Sequence, residues 1–479
     1  MHSATKDAAA MPVSTDSGKP TTVEQCHVVI DTLALQLSVL REQVALLQER
    51  LKLDSKNSSK PPSSDGPASG NRAQRRASGR KRGAQPGHTG SYRALLDESQ
   101  IDQVVDCAPI EVCGCGAAIV ATDDEPIRHQ VFDVPPIKAE VMEYRRYAGQ
   151  CAGCGKAHRG ALPAGVPTGQ IGPRALALVG VLGTHFHLTQ HKIRDLLDRL
   201  LGVDFSVGAI SQAHGKVALA LAAPIELLAE HVVQAPVKHM DETRYPREGA
   251  GNWVWTVATP KVVCYTLLPS RARYVATSLV GEAFTGILVS DRYAVYDYVD
   301  PGKRQVCWAH LLRDFTRIAQ RSGLAGQVGR GLLGAGYVLF RWHHQGKSSE
   351  QFEVLRRRVN RLLVQGSTQT HCHRTANTCG NLLKLWPALW TFTTNAAVPP
   401  TNNDAEQALR ALVLKRKISG PTRSKRGDQF VARGFTVYET CRRQGRDLWG
   451  YLQQAVVAWI DKTAAPSLVP IEVAVVPSG

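Results

Sequence analysis

The stretch APVKHMDETRYPREGAGNWVWTVATPKVVCYTLLPS, residues 235–270, contains three apolar runs separated by turn residues. Asp241 stands at the end of the first run, and the two later runs read as strands. A helical pattern near 272–281 then leads to GILVSD, where Asp291 ends another apolar run. These runs predict an α/β sheet, and strand ends in such sheets face a cleft. An aspartate at a strand end is also a common turn residue, so neither acid is informative alone.

A third acid, Glu406, lies in the segment TNNDAEQALRALVLKRKISG, residues 401–420. Asn402 or Asn403 is a suitable N-cap for a helix there. Apolar residues follow at helical spacing, at Leu409, Leu412 and Val413. Glu406 therefore belongs to the inward stripe of this helix, where a lone charge is costly to bury unless it is paired or metal-bound. A surface pair with Arg410 contributes only about 0.3–0.5 kcal/mol and does not explain an inward position.

A convergent set of two aspartates and one glutamate has a specific chemical use. Three carboxylates hold two Mg²⁺ or Mn²⁺ ions, because these hard cations prefer oxygen ligands. Such ions activate an attacking water or 3′-hydroxyl and stabilise the leaving oxygen in displacement at phosphorus. The candidate catalytic and metal-binding residues are therefore Asp241, Asp291 and Glu406, whereas Asp404 is an ordinary first-turn acid. Basic residues behind Glu406 are candidates for contacting the DNA backbone: Arg410, Lys415, Arg416 and Lys417.

The composition favours a polyanionic partner. The 479 residues include 58 Lys and Arg but 41 Asp and Glu, which gives a formal net charge of +17. This balance favours nucleic acid over a membrane surface, with a generic basic protein as the plain alternative. The chain has no uninterrupted apolar run of about 18 residues and no signal-peptide pattern, so a cytoplasmic location is expected. The odd number of cysteines, eleven, favours metal binding over a disulfide framework.

The N-terminal region divides into three parts. Residues 1–20 are expected to be disordered, and residues 21–54 carry a heptad repeat that predicts a coiled coil and hence a homo-oligomer. The seam consists of Val23, Cys26, Ile30, Leu33, Leu37, Leu40, Val44, Leu47 and Leu51. A helix packed on its own protein is the alternative. Residues 55–92 are rich in Ser, Pro and Gly, which predicts a flexible linker.

The linker carries a basic cluster, formed by Arg72, Arg75, Arg76, Arg80, Lys81 and Arg82. A flexible cationic segment binds phosphates with little sequence preference, so the cluster is a candidate DNA-binding element. Solvated charge without a partner is the alternative.

Residues 93–160 contain two cysteine pairs, in VCGCG and QCAGCGK. The pairs resemble the ligand set of a zinc ribbon, and each has a glycine for the turn. The predicted zinc ligands are Cys113, Cys115, Cys151 and Cys154. The first pair has one intervening residue in place of the usual two, so Cys107 is an alternative ligand. The segment VFDVPPIKAEVMEYRRY alternates and predicts paired strands, while free buried thiols are the alternative to structural zinc.

Residues 165–228 predict a helical, helix-turn-helix-like module. HKIRDLLDRLLG ends at Gly202, a suitable C-cap, and the next helix starts near Ser206, a suitable N-cap. The second helix of such a pair can enter the major groove of DNA. Any small helical bundle gives the same pattern, so a purely structural role is the alternative.

Several motifs occur together in the second half of the chain: DET at 241–243, WVW, SDRYAVYDY, CWAHLLRDF, and NNDAEQALR followed by KRK. With the zipper, SKNSSKPPSSDG and RGAQPGHTG, they resemble the insertion-sequence-66 family of DDE transposases over roughly residues 25–460. Thr401, Gln407 and the segment ISGPTRSKRG depart from the family pattern. None of these departures removes one of the three carboxylates.

The resemblance implies a multidomain architecture, in which a coiled coil, a zinc-ribbon-like module and a helical module precede an α/β ribonuclease-H-like catalytic core. The core would cover residues 232–460, with a large α-helical insertion at about 320–398 and a tail at 461–479. Cys307 and His310 match a C-x-x-H element of the family, which is expected to be structural or DNA-facing.

The resemblance also implies roles for the three acids and an activity. Asp241 would lie on the first strand of the core, Asp291 after the fourth strand and Glu406 on a late helix. The protein would bind terminal inverted repeats, cut DNA and join it to target DNA, with companion proteins from the same element. Its place would be the bacterial cytoplasm, at the nucleoid. A catalytically silent DNA-binding regulator and a stand-alone ribonuclease-H-like nuclease are the alternatives.

Overall fold

The computed structural model describes residues 22–51, 89–90, 93–120, 122, 125–282 and 284–470. The chain divides into two compact units. One unit comprises Met1–Ser69 and Trp308–Trp386, and the other comprises Gly70–Cys307 and Pro387–Gly479. We call residues 308–386 the helical insert and the other compact unit the sheet unit.

The N-terminal heptad forms a single helix, α1, over Val23–Leu51. The predicted helix is therefore confirmed, and seam residues such as Ile30 and Leu40 are more than half exposed. The pairing of this seam with a second copy stays a prediction. The expected disorder of residues 1–20 and the basic cluster of the linker lie outside the described residues.

The region of the cysteine pairs contains little regular structure. One short antiparallel hairpin joins β1 (Ala148–Gln150) and β2 (Ala157–Arg159). The paired strands expected over residues 131–147 are wrong, because this described segment is extended without a strand partner. Its apolar side chains are exposed, with Val141 at 88%, so the segment lacks the buried face that stabilises a sheet.

Four helices follow: α2 (Pro173–Thr184), α3 (Gln190–Leu201), α4 (Val207–Ala220) and α5 (Ala222–Gln234). The predicted caps between α3 and α4 are confirmed. Gly202 has a φ of 65°, and the Ser206 side chain accepts a hydrogen bond from the Ala209 amide.

Helix α4 is a core helix of the sheet unit. Half of its residues are buried, including Ile210, Val217 and Ala218, and it packs against α2. The other half is exposed or partly exposed, including Gly208 and Gln212, so the entry of this helix into a major groove stays a prediction. Helix α3 is the exposed member of the pair, with only Ile193 and Leu197 buried.

The central sheet has the strand order β5-β4-β3-β6-β7. Its strands are β3 (Val237–Arg244), β4 (Trp253–Ala258), β5 (Val263–Leu268), β6 (Ile287–Ser290) and β7 (Arg304–Val306). The first three pair antiparallel, whereas β6 is parallel to both β3 and β7. The predicted strands and the predicted helix, α6 (Arg273–Val280), are confirmed.

Asp241 lies within strand β3, not at its end as the sequence predicted. The reason is the partner strand. The antiparallel ladder with β4 runs from His239 to Arg244, whereas the last parallel pair with β6 is that of His239 with Val289.

Three later helices complete the sheet unit: α11 (Asn403–Ser419), α12 (Lys425–Gln444) and α13 (Leu448–Asp461). Helix α11 packs on β3 and β4, and α12 packs on the edge strand β5. The hydroxyls of Thr436 and Thr440 on α12 accept hydrogen bonds from the Tyr265 and Val263 amides, at 3.0 and 3.2 Å. These bonds satisfy backbone donors that an exposed edge strand would leave open.

The helical insert contains four helices, as the sequence predicted for most of this region. They are α7 (Trp308–Ala319), α8 (Gly323–His344), α9 (Ser349–Thr368) and α10 (His373–Lys384). Helix α8 packs against α7 and α9, and α9 packs against α10. A capping box at Ser348 and Gln351 fixes the start of α9.

In the described part of the chain, no single helix is long and apolar enough to cross a membrane. The bent pair α4–α5, with 48° between its helices, passes that test by length and composition only.

The close crossing of α7 and α8 makes a prediction about Gly329. A Cβ there would lie 2.3 Å from the Ala319 nitrogen and 2.6 Å from the Ile318 carbonyl carbon. Because backbone atoms cannot move aside cheaply, Gly329→Ala should lower the free energy of unfolding by about 1–3 kcal/mol. A Cβ at Gly334 in the same helix would have no atom within 4 Å. Gly334→Ala should therefore raise the free energy of unfolding by up to about 1 kcal/mol. Urea unfolding of both variants tests this, and equal effects would contradict it.

The buried imidazole of His214 makes a prediction about pH. It stacks on Phe430 at 3.8 Å, and its Nε2 has no hydrogen-bond partner. Burial, with a smaller contribution from Lys415, lowers the pKa of His214 to about 3. Between pH 6.5 and about 3 only the unfolded chain takes up this proton. The free energy of unfolding therefore decreases as the pH is lowered, by about 1.4 kcal/mol per pH unit from this group.

His214→Leu should therefore flatten the pH dependence of unfolding in that window, as measured by urea titrations at several pH values. The same substitution at exposed His185 is the control. A change of slope at His185 as large as that at His214 would count against the explanation.

Candidate functional site

Two of the predicted acids stand opposite each other across neighbouring strands. Val237 pairs with Ile287, and His239 pairs with Val289. Asp241 and Asp291 each follow the last pair by two residues, and they lie close enough for the charge of Asp291 to raise the pKa of Asp241. Each carboxylate is oriented by a backbone amide: Asp241 Oδ1 accepts from Glu242 and Asp291 Oδ1 accepts from Tyr293, both at 2.9 Å.

The third acid arrives on helix α11 from the same side of the sheet. Met240 belongs to the core on one face, so Asp241 points to the other face. That second face is covered by α11 through Ala408 and Leu412. Glu406, on the same helix, is half-buried, as its inward position predicted.

The electrostatics of Asp241 reflect this convergence. Its carboxyl group is packed among protein atoms, and burial is the first cause that raises its pKa well above the usual value. The negative charges of Glu242, Asp291 and Glu406 raise the pKa further. The structure thus brings together three acids that are 50 and 115 residues apart along the chain.

Asn402 fixes the start of helix α11 against strand β3. It is fully buried and occupies the N-cap position, as predicted, but its side chain does not cap the helix. Its amide group donates to the Met240 carbonyl at 2.6 Å, and its Oδ1 lies 3.2 Å from His239 Nδ1. The Glu406 amide in turn donates to the Asn402 carbonyl at 3.2 Å. Asn402 therefore couples the position of Glu406 to the strand that carries Asp241.

Cys307, which directly follows strand β7, supports the same arrangement. Its thiol is fully buried, accepts a hydrogen bond from the Asn402 amide at 3.2 Å and lies 3.8 Å from Glu406 Oε1. Cys307 is thus buried against the start of α11, and the structural or DNA-facing role expected for it stays a prediction. His310 lies in the first turn of α7, in the helical insert.

Two side chains that the sequence analysis did not select hold the strands beneath the acids. Glu242 is buried on the opposite face from Asp241, where it accepts from Arg271 Nε at 2.7 Å and from the Tyr296 hydroxyl at 2.5 Å. Arg304 is fully buried and donates to the Asp291 carbonyl at 2.8 Å. The sequence does contain a signal for Glu242. It directly follows Asp241 in DET, and neighbouring residues of a strand point to opposite faces of the sheet.

Asp404 has a larger role than that of a first-turn acid. Its carboxylate lies 3.7 Å from Arg443 Nη1 on α12 and 3.9 Å from His239 Nε2 on β3. Arg443 also donates to the Asp404 carbonyl at 3.0 Å. Asp404 therefore ties α11 to both of its neighbours.

The basic residues behind Glu406 do not share one environment. Lys415 is buried, and its Nζ donates to the Leu188 carbonyl at 2.9 Å. Burial lowers the pKa of Lys415 to about 8. The prediction that Lys415 contacts DNA is therefore wrong, because helix α11 turns this side chain into the protein. Arg410 and Lys417 are exposed, and Arg416 is half-buried.

The two cysteine pairs each form a turn of the predicted kind. The Gly116 amide donates to the Cys113 carbonyl at 2.8 Å, and the Gly155 amide donates to the Cys151 carbonyl at the same distance. Both glycines have positive φ, at 89° and 68°. Hydrogen bonds within each pair lower the pKa of the Cys115 and Cys151 thiols, with a backbone amide as the first cause.

The pairs do not form one four-ligand cluster. In the described residues between 93 and 160, their sulfur atoms and that of Cys107 do not gather at metal-binding distance. All of these thiols are exposed. The zinc site stays a prediction.

A mixed sheet flanked by helices, with acids gathered above two parallel strands, defines the class of the sheet unit as an α/β protein with a candidate metal-dependent site. Comparison with known families then identifies the family. Residues 168–429 match the family described as "Transposase IS66 family", which covers more than half of the chain. The chain therefore belongs to the IS66 family of transposases, and the expected family is confirmed. It is a transposase-type nucleic-acid enzyme, with DNA as its partner.

Other similarities are less informative about function. Residues 15–94 match a family of unknown function, DUF6444. Two uncharacterized proteins of Sinorhizobium fredii (strain NBRC 101917 / NGR234) are similar over most of their length. The protein y4hP is 23% identical over 410 residues, covering 76% of this chain and 73% of the relative. The protein y4qI is 25% identical over 426 residues, covering 80% and 76%.

The buried contacts of Asn402 lead to a stability prediction. Asn402→Ala leaves the Met240 carbonyl without its donor in a buried place, so the free energy of unfolding should fall by about 1–3 kcal/mol. Asn403→Ala removes an exposed side chain one residue later, so the free energy of unfolding should change by less than about 0.5 kcal/mol. Chemical denaturation of both variants checks this, and a negligible effect of Asn402→Ala would show that the contact does not fix the helix.

Proposed function

We propose that the protein is an insertion-sequence transposase that cuts and joins DNA through Asp241, Asp291 and Glu406. The observation that carries the proposal is the convergence of these carboxylates above β3 and β6. In the central sheet, Asp241 is on the first strand along the chain and Asp291 follows the fourth. Glu406 is on a late helix. This order agrees with a ribonuclease-H-like core interrupted by the helical insert.

The donor set fits divalent metal ions. Burial, and then the nearby charges of Glu242, Asp291 and Glu406, raise the pKa of Asp241, and a bound cation would offset these effects. Oxygen donors of this kind suit Mg²⁺ or Mn²⁺. Asp241, Asp291 and Glu406 would hold two such ions. When bound, these ions lower the pKa of the attacking hydroxyl and neutralise charge at the scissile phosphate.

The chain's own residues supply orientation. Amides of Glu242 and Tyr293 hold one oxygen of each aspartate, which leaves the other oxygens for ligation. Asn402 and Cys307 hold the first turn of α11, so that Glu406 faces the aspartates. Such rigid positioning is what catalysis at phosphorus chiefly requires of a protein.

DNA recognition would use the remaining parts of the chain. The basic linker, the exposed Arg410 and Lys417 and the half-buried Arg416 would contact phosphates, and the N-terminal modules would bind the terminal inverted repeats. Pairing of α1 between two copies would bring two element ends together. Companion proteins of the element and an association with the nucleoid complete the proposal.

Substitution of the three acids tests the chemistry. Asp241→Asn, Asp291→Asn and Glu406→Gln should each reduce Mg²⁺-dependent cleavage and joining of a cognate DNA end by at least about a hundredfold, because each removes a metal ligand. The affinity for the same DNA, measured by fluorescence anisotropy, should change less than about threefold.

Asp404→Asn is the matched control, because Asp404 is two residues from Glu406 but faces Arg443. It should retain most of the activity. Cleavage that persists in one of the three variants would remove that residue from the proposed site. Wild-type protein that binds cognate ends but neither cuts nor joins them would indicate a regulator, and cutting without joining would indicate a nuclease.

A further inference from the structure

The helical insert carries a strong excess of positive charge. Residues 308–386 contain twelve Lys and Arg but only three Asp and Glu. The three proposed carboxylates all belong to the sheet unit, and the proposed chemistry gives the insert no role. Such an excess of one sign on a small folded body creates a field that attracts polyanions.

Part of this charge lines a single cleft within the insert. The cleft has a volume of about 780 Å³ and runs along helix α9 to Trp386. Its lining includes Arg356, Arg357 and Arg361. The acid in the lining, Glu353, pairs with Arg356 at 3.4 Å, whereas the side chains of Arg357 and Arg361 are exposed.

The geometry of helix α9 explains why these arginines share one surface. Phe352, Leu355, Val359 and Leu363 are buried and form its inward stripe. Arg357 and Arg361 are four residues apart on the opposite side, so they are about 6 Å apart along the helix axis. Two guanidinium groups in such a row can meet successive phosphates of one strand, and each can bind a phosphate through two hydrogen bonds.

The rest of the lining favours DNA over a protein partner. Asn360, Gln365 and Gln369 offer amide groups for sugar and phosphate oxygens. Val364 is the one aliphatic side chain in the lining. Apart from Val364 and Trp386 the lining is polar or charged, whereas the buried centre of a protein interface is mostly apolar.

We propose that the arginine cleft of the helical insert, centred on Arg357 and Arg361, is a second DNA-binding surface, made of residues other than the three carboxylates, that holds the phosphate backbone of duplex DNA. This assignment rests on the proposed function for the identity of the DNA. It adds a surface that contacts DNA without sequence preference, because phosphates carry no base information.

The test compares two double variants of the full-length protein that each lose two positive charges from the helical insert. Arg357→Gln/Arg361→Gln alters the cleft. Arg341→Gln/Lys347→Gln alters two exposed cations outside the lining. Binding of an element-end duplex and of an unrelated duplex is measured by fluorescence anisotropy at several NaCl concentrations, with EDTA present so that no cleavage occurs. Urea unfolding verifies that both variants fold.

The cleft variant should bind both duplexes at least about tenfold more weakly, and the slope of log affinity against log salt should fall by about 1.8. The control variant should change the slope by less than half as much. Equal slope changes in the two variants would overturn the proposal, since charge alone would then explain them. Unchanged DNA binding by the cleft variant, with lost binding of poly-L-glutamate, would overturn it in favour of an acidic polypeptide.

The outcome is separable from that of the carboxylate test. Binding in EDTA does not depend on Asp241, Asp291 or Glu406 acting as metal ligands. A cleft variant with the expected salt slope therefore supports this surface even if the wild-type protein cuts no DNA. Conversely, loss of cleavage in Asp241→Asn leaves the role of Arg357 and Arg361 untouched.

Discussion

The arrangement of the three acids depends on one buried amide, that of Asn402. A helix that begins next to a strand must satisfy its own first amides and leave no strand carbonyl without a donor. Asn402 meets the second need by donating to the Met240 carbonyl, while its backbone amide donates to Cys307. Glu406 follows one turn later, and Asp241 follows Met240 directly. The Asn402 side chain therefore links the helix turn that carries Glu406 to the strand that carries Asp241.

Gathering carboxylates opposes folding unless something compensates for their repulsion. The fold separates the charges that it does not need at the site. Glu242 is adjacent to Asp241 in sequence but projects through the sheet, where Arg271 and Tyr296 bind it. Asp404, two residues before Glu406, is turned toward Arg443. The three acids that remain together are Asp241, Asp291 and Glu406, whose charge a divalent cation could neutralise. This is the arrangement that the proposed chemistry requires.

The helical insert poses a different electrostatic situation. Its core is apolar and its helices cross closely at Gly329. Like charges that crowd one surface of it repel one another at a small cost to stability. Their concentration on one cleft is consistent with selection for a ligand, and a phosphate backbone matches both the sign and the spacing of the charge.

The sequence by itself determined the strands that lead to the two aspartates, most of the helices and the inward position of Glu406, because hydrophobic periodicity and capping residues are local properties. It also carried the family, through motifs that depend on order along the chain. Only the tertiary structure decided where neighbouring polar side chains point. Lys415 was expected on the DNA side but is buried, because α11 packs on the sheet with that face inward. Asp241 was expected at a strand end, but the partner strand β4 extends β3 beyond it. Pairing partners and packed faces are set by residues far away in the chain, and no local pattern encodes them.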